Sequence, residues 1–356
     1  MKTPNGNPVS AEGQAGGQRK VADIRSVAEK AGVSISTVSR FLNHKVVSPQ
    51  AEERIREAVK ELAYIPNRIA RSLKLRRTNT LGMAIPDITN TFFPEIVKGV
   101  EDAARVAGFH LVLTNTGEDQ ASEWERLNTL ETLRCDGCLL ILAPDANGDT
   151  ERKQRLADFR LPVVYLDRSP PFDADMVISD NVHGAEEAVR HLVGLGHKNI
   201  AFLGTTLEVS THRERLQGYR QAMQAAGLPI HPGYEERVAP TLADGVVGVQ
   251  KLLDLDPRPT AVFIASNKLT IGAMAGIHDR RLSCPKDISV IGYDDYEWEE
   301  AFRPRLTAVA QPSNLIGQRA CELLIARVLG QKTGDAEKVV VPSRLVVRES
   351  CGPLGG

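Results

Sequence analysis

The sequence predicts a small all-α domain at the N-terminus, followed by a much larger α/β body built on parallel sheets. Two observations support this division. Residues 19–77 hold 14 lysines and arginines against 6 acidic residues, whereas the whole chain has a net charge of -1, so the remainder is acidic. From residue 80 onward, short apolar strands alternate with amphipathic helices, a pattern typical of parallel sheets covered by helices on both faces.

Residues 1–20 are rich in Gly, Pro, Asn and Gln, which predicts a disordered tail. They contain no apolar stretch of the kind that a secretory signal has. No apolar run in the chain approaches the roughly 20 residues that span a bilayer. We therefore expect a cytoplasmic protein without a membrane segment.

The five cysteines are too few, and odd in number, for a disulfide framework. Cys135 and Cys138 have CxxC spacing, but no second pair or nearby histidine completes a zinc site. Cys138 opens an apolar strand, whereas a redox pair needs its active thiol at a helix start. We expect both residues to be buried, reduced thiols, and we predict neither a metal site nor a cofactor.

Residues 21–66 contain three short helical patterns. Gly32 is suited to end the first helix in the left-handed conformation, and Ser34 is suited to cap the second. A helix, a tight turn with glycine and a second helix form a helix-turn-helix, which places its second helix in the major groove of DNA. Any small helical domain could show a glycine between two amphipathic helices, so this pattern alone leaves the class of domain open.

The second helix carries the side chains expected to meet DNA, because its early residues reach base edges in the major groove. Arg40 suits a bidentate contact with guanine, and Ile35 suits the methyl group of thymine. Serine and threonine suit phosphates or bases. The predicted DNA-binding residues of this segment are Ser34, Ile35, Ser36, Thr37, Ser39, Arg40 and Asn43.

The string V-A-x-x-A-G-V-S-x-x-T-V-S-R-x-L-N at residues 27–43 resembles the lactose-repressor/galactose-repressor (LacI/GalR) family. Y-I-P-N at 64–67 and A-R-S-L at 70–73 continue the resemblance, which covers nearly everything after the tail. It implies a homodimer that binds a pseudo-palindromic operator under the control of a small effector. It also implies a periplasmic-binding-protein-like α/β body of two doubly wound parallel-sheet subdomains.

By the same resemblance, residues 34–43 form the recognition helix, and the basic connector at 67–79 holds a hinge helix at 67–75. Leu73 matches the family's leucine wedge, and an apolar wedge in the minor groove unstacks a base step and bends the duplex. Arg71 and Lys74 would contact phosphates, which makes binding sensitive to salt. The alternative for Leu73 is packing against its own domain.

In the body, strands and helices alternate regularly, and ligands of such folds bind at the carboxyl ends of the strands. Two facing subdomains would turn that edge into a cleft. The resemblance implies an effector-binding and dimerisation domain at 80–349. Its N-terminal subdomain combines about 80–179 with 312–338, and its C-terminal subdomain combines about 180–310 with 339–349. The predicted strands are 81–85, 110–115, 138–143, 163–167, 176–179, 200–204, 261–266 and 289–292.

Side chains at strand ends and at the start of the following helices are the candidates for the effector site. Arginine, asparagine and aspartate satisfy vicinal hydroxyls, while an aromatic ring covers the apolar face of a sugar. The alternatives are core positions for the phenylalanines, structural ion pairs for the arginines, and a solvated acidic loop or metal site at 294–300. The candidates are Asp87, Phe92, Phe93, Arg168, Arg215, Asn267, Asp294 and Trp298.

Lys268 departs from the family's A-x-N-D pattern, because the chain reads A-S-N-K at 265–268. This lysine could point to an anionic effector, or it could pair with Asp294 or Glu297. The effector class therefore stays open between a sugar, a sugar acid and a sugar phosphate.

The leading interpretation is a DNA-binding transcriptional regulator, favoured as a repressor, and not an enzyme. A solute-binding protein or a sugar-processing enzyme would use the same body fold. The basic head and the missing signal peptide weigh against the first alternative. The sequence has no nucleophile elbow, Walker loop or metal cluster for the second.

Overall fold

The computed structural model describes residues 22–42, 45–64, 77–145, 148–206, 208–296, 301 and 303–354. Its contacts divide the chain into two units, residues 1–78 and residues 79–356. The predicted tail at 1–20 and most of the predicted connector at 67–79 lie outside the described residues, so both stay predictions.

The N-terminal unit is helical. Its apolar side chains meet in one small core, to which Val27, Val38 and Ile55 each contribute a fully buried side chain. The helices are α1 (Ile24–Ala31), α2 (Ile35–Leu42) and α3 (Pro49–Glu61).

Local hydrogen bonds and backbone conformation set the boundaries of α1 and α2. The carboxylate of Asp23 accepts a 2.8 Å hydrogen bond from the backbone N–H of Ser26 and so caps α1. Gly32 ends α1 with a φ of +62°, in the left-handed region that glycine adopts without strain. The Oγ of Ser34 accepts from the backbone N–H of Thr37 at 3.1 Å and caps α2. This is the predicted helix-turn-helix.

The first sheet of the second unit has the strand order β11-β5-β4-β3-β1-β2, and its paired strands are parallel. Helices α4 and α11 cover one face, and α5 and α6 cover the other. The strands are β1 (Thr80–Ile85), β2 (His110–Asn115), β3 (Gly137–Leu140), β4 (Val163–Leu166), β5 (Met176–Ser179) and β11 (Lys338–Val341). The helices are α4 (Phe92–Val106), α5 (Gln120–Thr132), α6 (Thr150–Ala157) and α11 (Ser313–Val328).

The second sheet has the order β12-β10-β9-β8-β6-β7, and it is parallel except for β12, which runs antiparallel to β10. Helices α7 and α8 cover one face, and α9 and α10 cover the other. The strands are β6 (Ile200–Thr205), β7 (Glu235–Val238), β8 (Ala261–Ile264), β9 (Ser289–Tyr293), β10 (Thr307–Ala310) and β12 (Arg344–Val346). The helices are α7 (Asn181–Gly194), α8 (Ser210–Ala225), α9 (Leu242–Leu253) and α10 (Asn267–Asp279).

Each sheet, covered on both faces, forms one doubly wound subdomain, so the predicted fold class is confirmed. Glycines allow the closest helix contact of the first subdomain. A Cβ on Gly99 would lie 2.0 Å from the carbonyl oxygen of Asn314, and one on Gly317 would lie 2.1 Å from that of Ile96. Helices α4 and α11 therefore touch backbone to backbone. No helix among the described residues is both long enough and apolar enough to cross a membrane.

The chain passes between the subdomains three times, after β5, after β10 and after β11. Two of these crossings are joined by hydrogen bonds. The Oγ atoms of Ser179 and Ser343 lie 2.9 Å apart, and the backbone N–H of Asp180 donates to the carbonyl of Val341 at 3.1 Å.

The last crossing differs from the expectation that residues from about 339 to 349 belong to the C-terminal subdomain. Residues 339–341 belong to β11, where Val339 pairs with Val177 of the first sheet. Only β12 joins the second sheet. Pro342 separates the two strands, because a proline has no N–H to donate to a ladder. The first subdomain therefore extends to residue 341, and the C-terminal segment of the second begins after it.

Candidate functional sites

The exposed start of α2 presents a cluster of hydroxyl groups. The Oγ of Ser34 lies 2.7 Å from that of Ser36 and 2.8 Å from the Oγ1 of Thr37. Ile35 is 47% exposed beside them, although it is a large apolar residue. Hydroxyls and an exposed aliphatic side chain at the first turn of a second helix suit contacts with phosphates and thymine methyl groups.

Arg40 lies on the exposed side of the same helix, near its end. One of its two terminal nitrogens, Nη2, donates a 2.9 Å hydrogen bond to the carbonyl of Val46. Arg40 therefore also fixes the segment after α2. The other predicted DNA-binding residues Asn43, Arg71, Leu73 and Lys74 lie outside the described residues, and their roles stay predictions.

In the second unit, the two subdomains face each other across a cleft at the carboxyl ends of their strands. Two hydrogen bonds span it near the start of α10. The Nζ of Lys268 lies 2.8 Å from Oδ2 of Asp87, and the Nδ2 of Asn267 donates to Oδ1 of Asn90 at 2.9 Å. We call this pair of contacts the cross-cleft clasp. The partner of Lys268 is Asp87, rather than the Asp294 or Glu297 considered from the sequence.

Asp87 is ionised in the clasp. Burial alone would raise its pKa, but hydrogen bonds from Lys268 and Thr89 outweigh burial and hold the pKa below its usual value. Thr89 donates to Oδ1 through both its backbone N–H, at 2.9 Å, and its Oγ1, at 2.6 Å. Each oxygen of this carboxylate therefore has its own partners.

Arg168 follows β4 and is buried, with 5% of its surface exposed. Its Nη1 and Nη2 donate to the carboxylate of Glu118 at 2.6 and 2.8 Å, and Nη1 also donates to the carbonyl of Leu142 at 2.5 Å. The structural ion pair considered from the sequence is therefore present. Its Nε, however, has no hydrogen-bond acceptor among the described residues.

Asp167 precedes Arg168 and was not predicted as a site residue. Its backbone is left-handed, with a φ of +62°, and the side chain is buried. No described residue donates a hydrogen bond to its Oδ1. Burial raises its pKa to about 6, and Arg168 and Arg215 oppose that shift. An acid directly after a buried strand and next to a candidate arginine is the signal that could have identified it.

Arg215 lies on α8 in the second subdomain, and its guanidinium carbon is 3.6 Å from the centre of the Tyr293 ring. Its Nε donates to Oδ1 of Asn181 at 2.9 Å, and its Nη1 donates to the carbonyl of Ala265 at 2.9 Å. Asn181 lies at the first crossing between the subdomains and also donates to the carboxylate of Glu214 at 3.0 Å. Arg215, a predicted site residue, is thus hydrogen-bonded to the segment in which the chain first crosses between the subdomains.

Asn267 and Asp294 lie at strand ends of the second sheet, as expected. The Nδ2 of Asn267 donates to the Tyr296 hydroxyl at 3.0 Å as well as to Asn90. Asp294 has a φ of +73°, and its Oδ1 accepts from Nε2 of Gln311 at 2.5 Å. Burial raises the pKa of Asp294, and Arg215 opposes the shift. Asn90, Gln311 and Tyr296 were also missed, because only the folded chain brings them to these strand ends.

Phe92 and Phe93 begin α4 and are 5% and 2% exposed. Both belong to the core beneath the first sheet, and their rings meet edge to face with centroids 5.3 Å apart. The core position considered from the sequence therefore applies to both. Trp298, the third aromatic candidate, lies outside the described residues.

Cys135 and Cys138 are buried, as expected from the sequence. Burial raises the pKa of Cys135 to about 11 and raises that of Cys138 further. Within the described ranges, no group of three or more His, Cys, Asp or Glu side chains is arranged to hold a metal ion.

Comparison with known proteins agrees with both units. The family model "Bacterial regulatory proteins, lacI family" matches residues 23–67, and the model "Periplasmic binding protein-like domain" matches residues 189–351. The ribose operon repressor of Escherichia coli (strain K12) is 37% identical over 332 residues, which are 93% of this chain and 100% of that protein. Catabolite control protein A of Priestia megaterium is 34% identical over 330 residues, covering 92% of this chain and 98% of that protein.

Solved structures agree as well. The Lac repressor dimer bound to operator and the anti-inducer ONPF has a TM-score of 0.83 and 29% identity, covering 94% of this chain and 100% of that one. The transcriptional regulator CelR in complex with cellobiose has a TM-score of 0.71 and 32% identity, covering 92% and 99%. The helix-turn-helix head, the paired doubly wound subdomains and these full-length relatives together confirm the resemblance: the chain belongs to the lacI family of bacterial regulatory proteins and is a DNA-binding transcriptional regulator.

Proposed function

We propose that this protein is a repressor, which binds a pseudo-palindromic operator as a homodimer and responds to a small carbohydrate in the cleft of its body. One observation carries the proposal. Predicted effector residues of both subdomains lie at neighbouring strand ends, since Asn267 and the adjacent Lys268 hydrogen-bond to Asn90 and to Asp87 of the other subdomain. The names of relatives support it, because they include a ribose operon repressor and a regulator in complex with cellobiose.

The DNA-binding role is assigned to the start of α2 and to the connector. Ser34, Ser36 and Thr37 offer hydroxyls to phosphates, and exposed Ile35 offers a methyl contact to a base. We assign base or phosphate contacts to Ser39, Arg40 and Asn43 as well. Arg71 and Lys74 neutralise phosphates, and Leu73 enters the minor groove at the centre of the operator.

The effector role is assigned to the cleft. Arg168, Arg215, Asn267 and Asp294 bind the hydroxyls of the ligand, and Asp167 and Gln311 join them. Trp298 supplies the aromatic surface, because Phe92 and Phe93 are buried in the core, and Asp87 shapes the entrance through the clasp. The hydrogen bond from Arg215 to Asn181 connects the ligand to the first crossing, so that ligand binding biases how the subdomains are oriented. Such a bias is what couples two distant sites.

The DNA-binding proposal is tested by selecting bound sequences from a random duplex library with the full-length protein. We expect an inverted repeat, with a Kd that rises steeply with salt. Ile35→Ala removes an exposed side chain and should weaken operator binding by about tenfold, since one base contact contributes about 1–3 kcal/mol. Leu133→Ala, an equally exposed apolar residue of the body, is the matched control. The DNA-binding role of α2 would be refuted if the selection enriched no inverted repeat. It would also be refuted if Ile35→Ala and Leu133→Ala bound the operator with equal Kd values.

The dimer and the absence of catalysis are tested separately. Sedimentation equilibrium should give twice the chain mass of 38.8 kDa. Incubation with a binding carbohydrate should leave that carbohydrate chemically unchanged, because the relatives are regulators rather than enzymes. Turnover of the ligand would instead favour the sugar-processing enzyme that the same body fold would also support.

A further inference from the structure

Resting on the proposed function, we propose that the cleft selects an uncharged, hydroxyl-rich ligand and rejects the phosphorylated or acidic form of the same molecule. The identity of Lys268 alone favours the opposite conclusion, because a lysine replaces the family's acid and would suit an anion. The contacts of the cleft decide between the two.

The described cations of the inner cleft already have partners in the protein. Glu118 binds Arg168 through both carboxylate oxygens, at 2.6 and 2.8 Å. Asp87 binds Lys268 at 2.8 Å. A ligand phosphate would therefore compete with a carboxylate of the protein for each of these two cations, and the displaced carboxylate would be left unpaired.

Three further carboxylates lie in the same cleft. Asp167 and Asp294 are buried, and Glu214 is half-buried beside Asn181. Asp294 and Glu214 are both close enough to Asp167 to raise its pKa. With Arg215 as the one remaining inner cation among the described residues, the inner cleft has more carboxylates than cations. The carboxylates are Asp87, Glu118, Asp167, Glu214 and Asp294, and the cations are Arg168, Arg215 and Lys268.

The neighbouring basic residues do not reverse this balance. Arg237 lies 2.7 Å and Arg213 lies 3.9 Å from the carboxylate of Glu208, so the two share one acid. His212 stays neutral at pH 7, because burial, assisted by the surrounding arginines, lowers its pKa well below the usual value. Lys338 is exposed on β11 and acts on Glu214 at a distance. These neighbours offset part of the negative charge, so the excess of carboxylates is confined to the inner cleft, where an anionic ligand has to compete with Glu118 for Arg168 and with Asp87 for Lys268.

The unpartnered polar atoms also define the ligand. No described residue forms a hydrogen bond with Oδ1 of Asp167, Nε of Arg168 or Oε1 of Gln311, although that Nε lies 3.8 Å from Oδ2 of Asp167. These atoms are buried, and a ligand that reached them on binding would have to donate to the two oxygens and accept from the N–H. A hydroxyl both donates and accepts, whereas an ionised phosphate or carboxylate only accepts. An anionic group at this position would leave the two buried oxygens without a donor.

The test is calorimetric titration of the full-length protein with matched pairs of ligands. The pairs are D-ribose with D-ribose 5-phosphate, D-glucose with D-glucose 6-phosphate, and D-galactose with D-galacturonate. We expect at least one neutral sugar to bind, and its anionic counterpart to bind at least about tenfold more weakly. Asp294→Asn removes one negative charge of the inner cleft and should reduce the ratio of the Kd of the anionic ligand to that of the neutral one. Asp279→Asn, an exposed acid at the end of α10, is the matched control and should leave the ratio unchanged.

The outcomes separate this inference from the proposed function. An anionic member that binds as tightly as its neutral counterpart overturns the charge selectivity and leaves the carbohydrate effector standing. If no pair gives binding while the selected operator is still bound, the carbohydrate effector is wrong, and the charge selectivity is wrong with it. The inference is also overturned if Asp294→Asn and the wild type give the same ratio of anionic to neutral Kd. The inner carboxylates would then not be the cause of the weaker binding of the anionic ligand.

Discussion

The cross-cleft clasp is open to a quantitative test, because its two charged side chains belong to different subdomains. Lys268→Met removes the ammonium group, and Asp87→Asn removes the charge of its partner. Asparagine keeps an oxygen that can still accept from the N–H and Oγ1 of Thr89. The local turn should therefore survive, and only the ion pair is lost.

The expected magnitude follows from the geometry of the pair. Lys268 Nζ and Asp87 Oδ2 are 2.8 Å apart, and the two side chains are 37% and 28% exposed. Exposed ion pairs contribute about 0.2–1 kcal/mol. Partial burial places this one near the upper end, at about 1 kcal/mol. A clasp of that strength changes the ratio of closed to open cleft by about fivefold.

The measurement is a double-mutant cycle on the free energy of urea unfolding, for the wild type, both single variants and the double variant. We expect a coupling energy of about 1 kcal/mol. In about 1 M NaCl the coupling should shrink, because salt screens partly exposed charges. The pair Lys98 and Asp102 on α4 has the same 2.8 Å separation but is more exposed and does not span the cleft, so its coupling should be smaller. A coupling below about 0.2 kcal/mol would refute the clasp.

Three further predictions concern stability. Glu123→Leu should lower the free energy of unfolding in urea by about 1–3 kcal/mol, since the half-buried guanidinium of Arg152 loses its carboxylate at 2.7 Å and keeps only that of Asp145 at 3.6 Å; a loss below about 0.5 kcal/mol would contradict this. Gly32→Ala should speed amide exchange in α1 by about fivefold, because a left-handed alanine costs about 1 kcal/mol, whereas Gly108→Ala, also at positive φ but with open space around its Cβ, should not affect α1. Asp167→Asn should raise the Tm more at about pH 7.5 than at about pH 4.5. The reason is that Asp167 has a pKa of about 6 in the folded protein against an ordinary value of 3.8, so the wild type loses stability as pH rises through this interval; equal gains at both pH values would refute it.

Much of the fold was predictable because most strands are continuous apolar runs. β7 and β10 were missed for different reasons. β7 reads Glu-Glu-Arg-Val at the edge of its sheet, where only one neighbour pairs with it and polar side chains can face solvent. β10 is a short apolar strand of four residues that was not among the predicted strands. Pro342 was the signal in the sequence for the break between β11 and β12.

The candidate site was predictable only in part. Residues that end apolar strands, such as Arg168 and Asp294, can be identified one strand at a time. Their partners cannot, because Arg168 binds a residue 50 positions away and Lys268 binds one 181 positions away. In the sequence, the charge of Lys268 therefore suggested an anionic ligand. In the folded chain, the contact of Lys268 with Asp87 favours an uncharged one.

The separation of β11 from β12 has a consequence for how the protein is made. The first sheet needs β11 as its edge strand, and the second needs β12, yet both lie within the last residues of the body. Domains tend to fold from the N-terminus as the chain leaves the ribosome. Here neither half of the body can complete its sheet until the segment after α11 has been translated. A chain that terminates shortly after α11 would leave β5 and β10 as open edges, which are templates for aggregation.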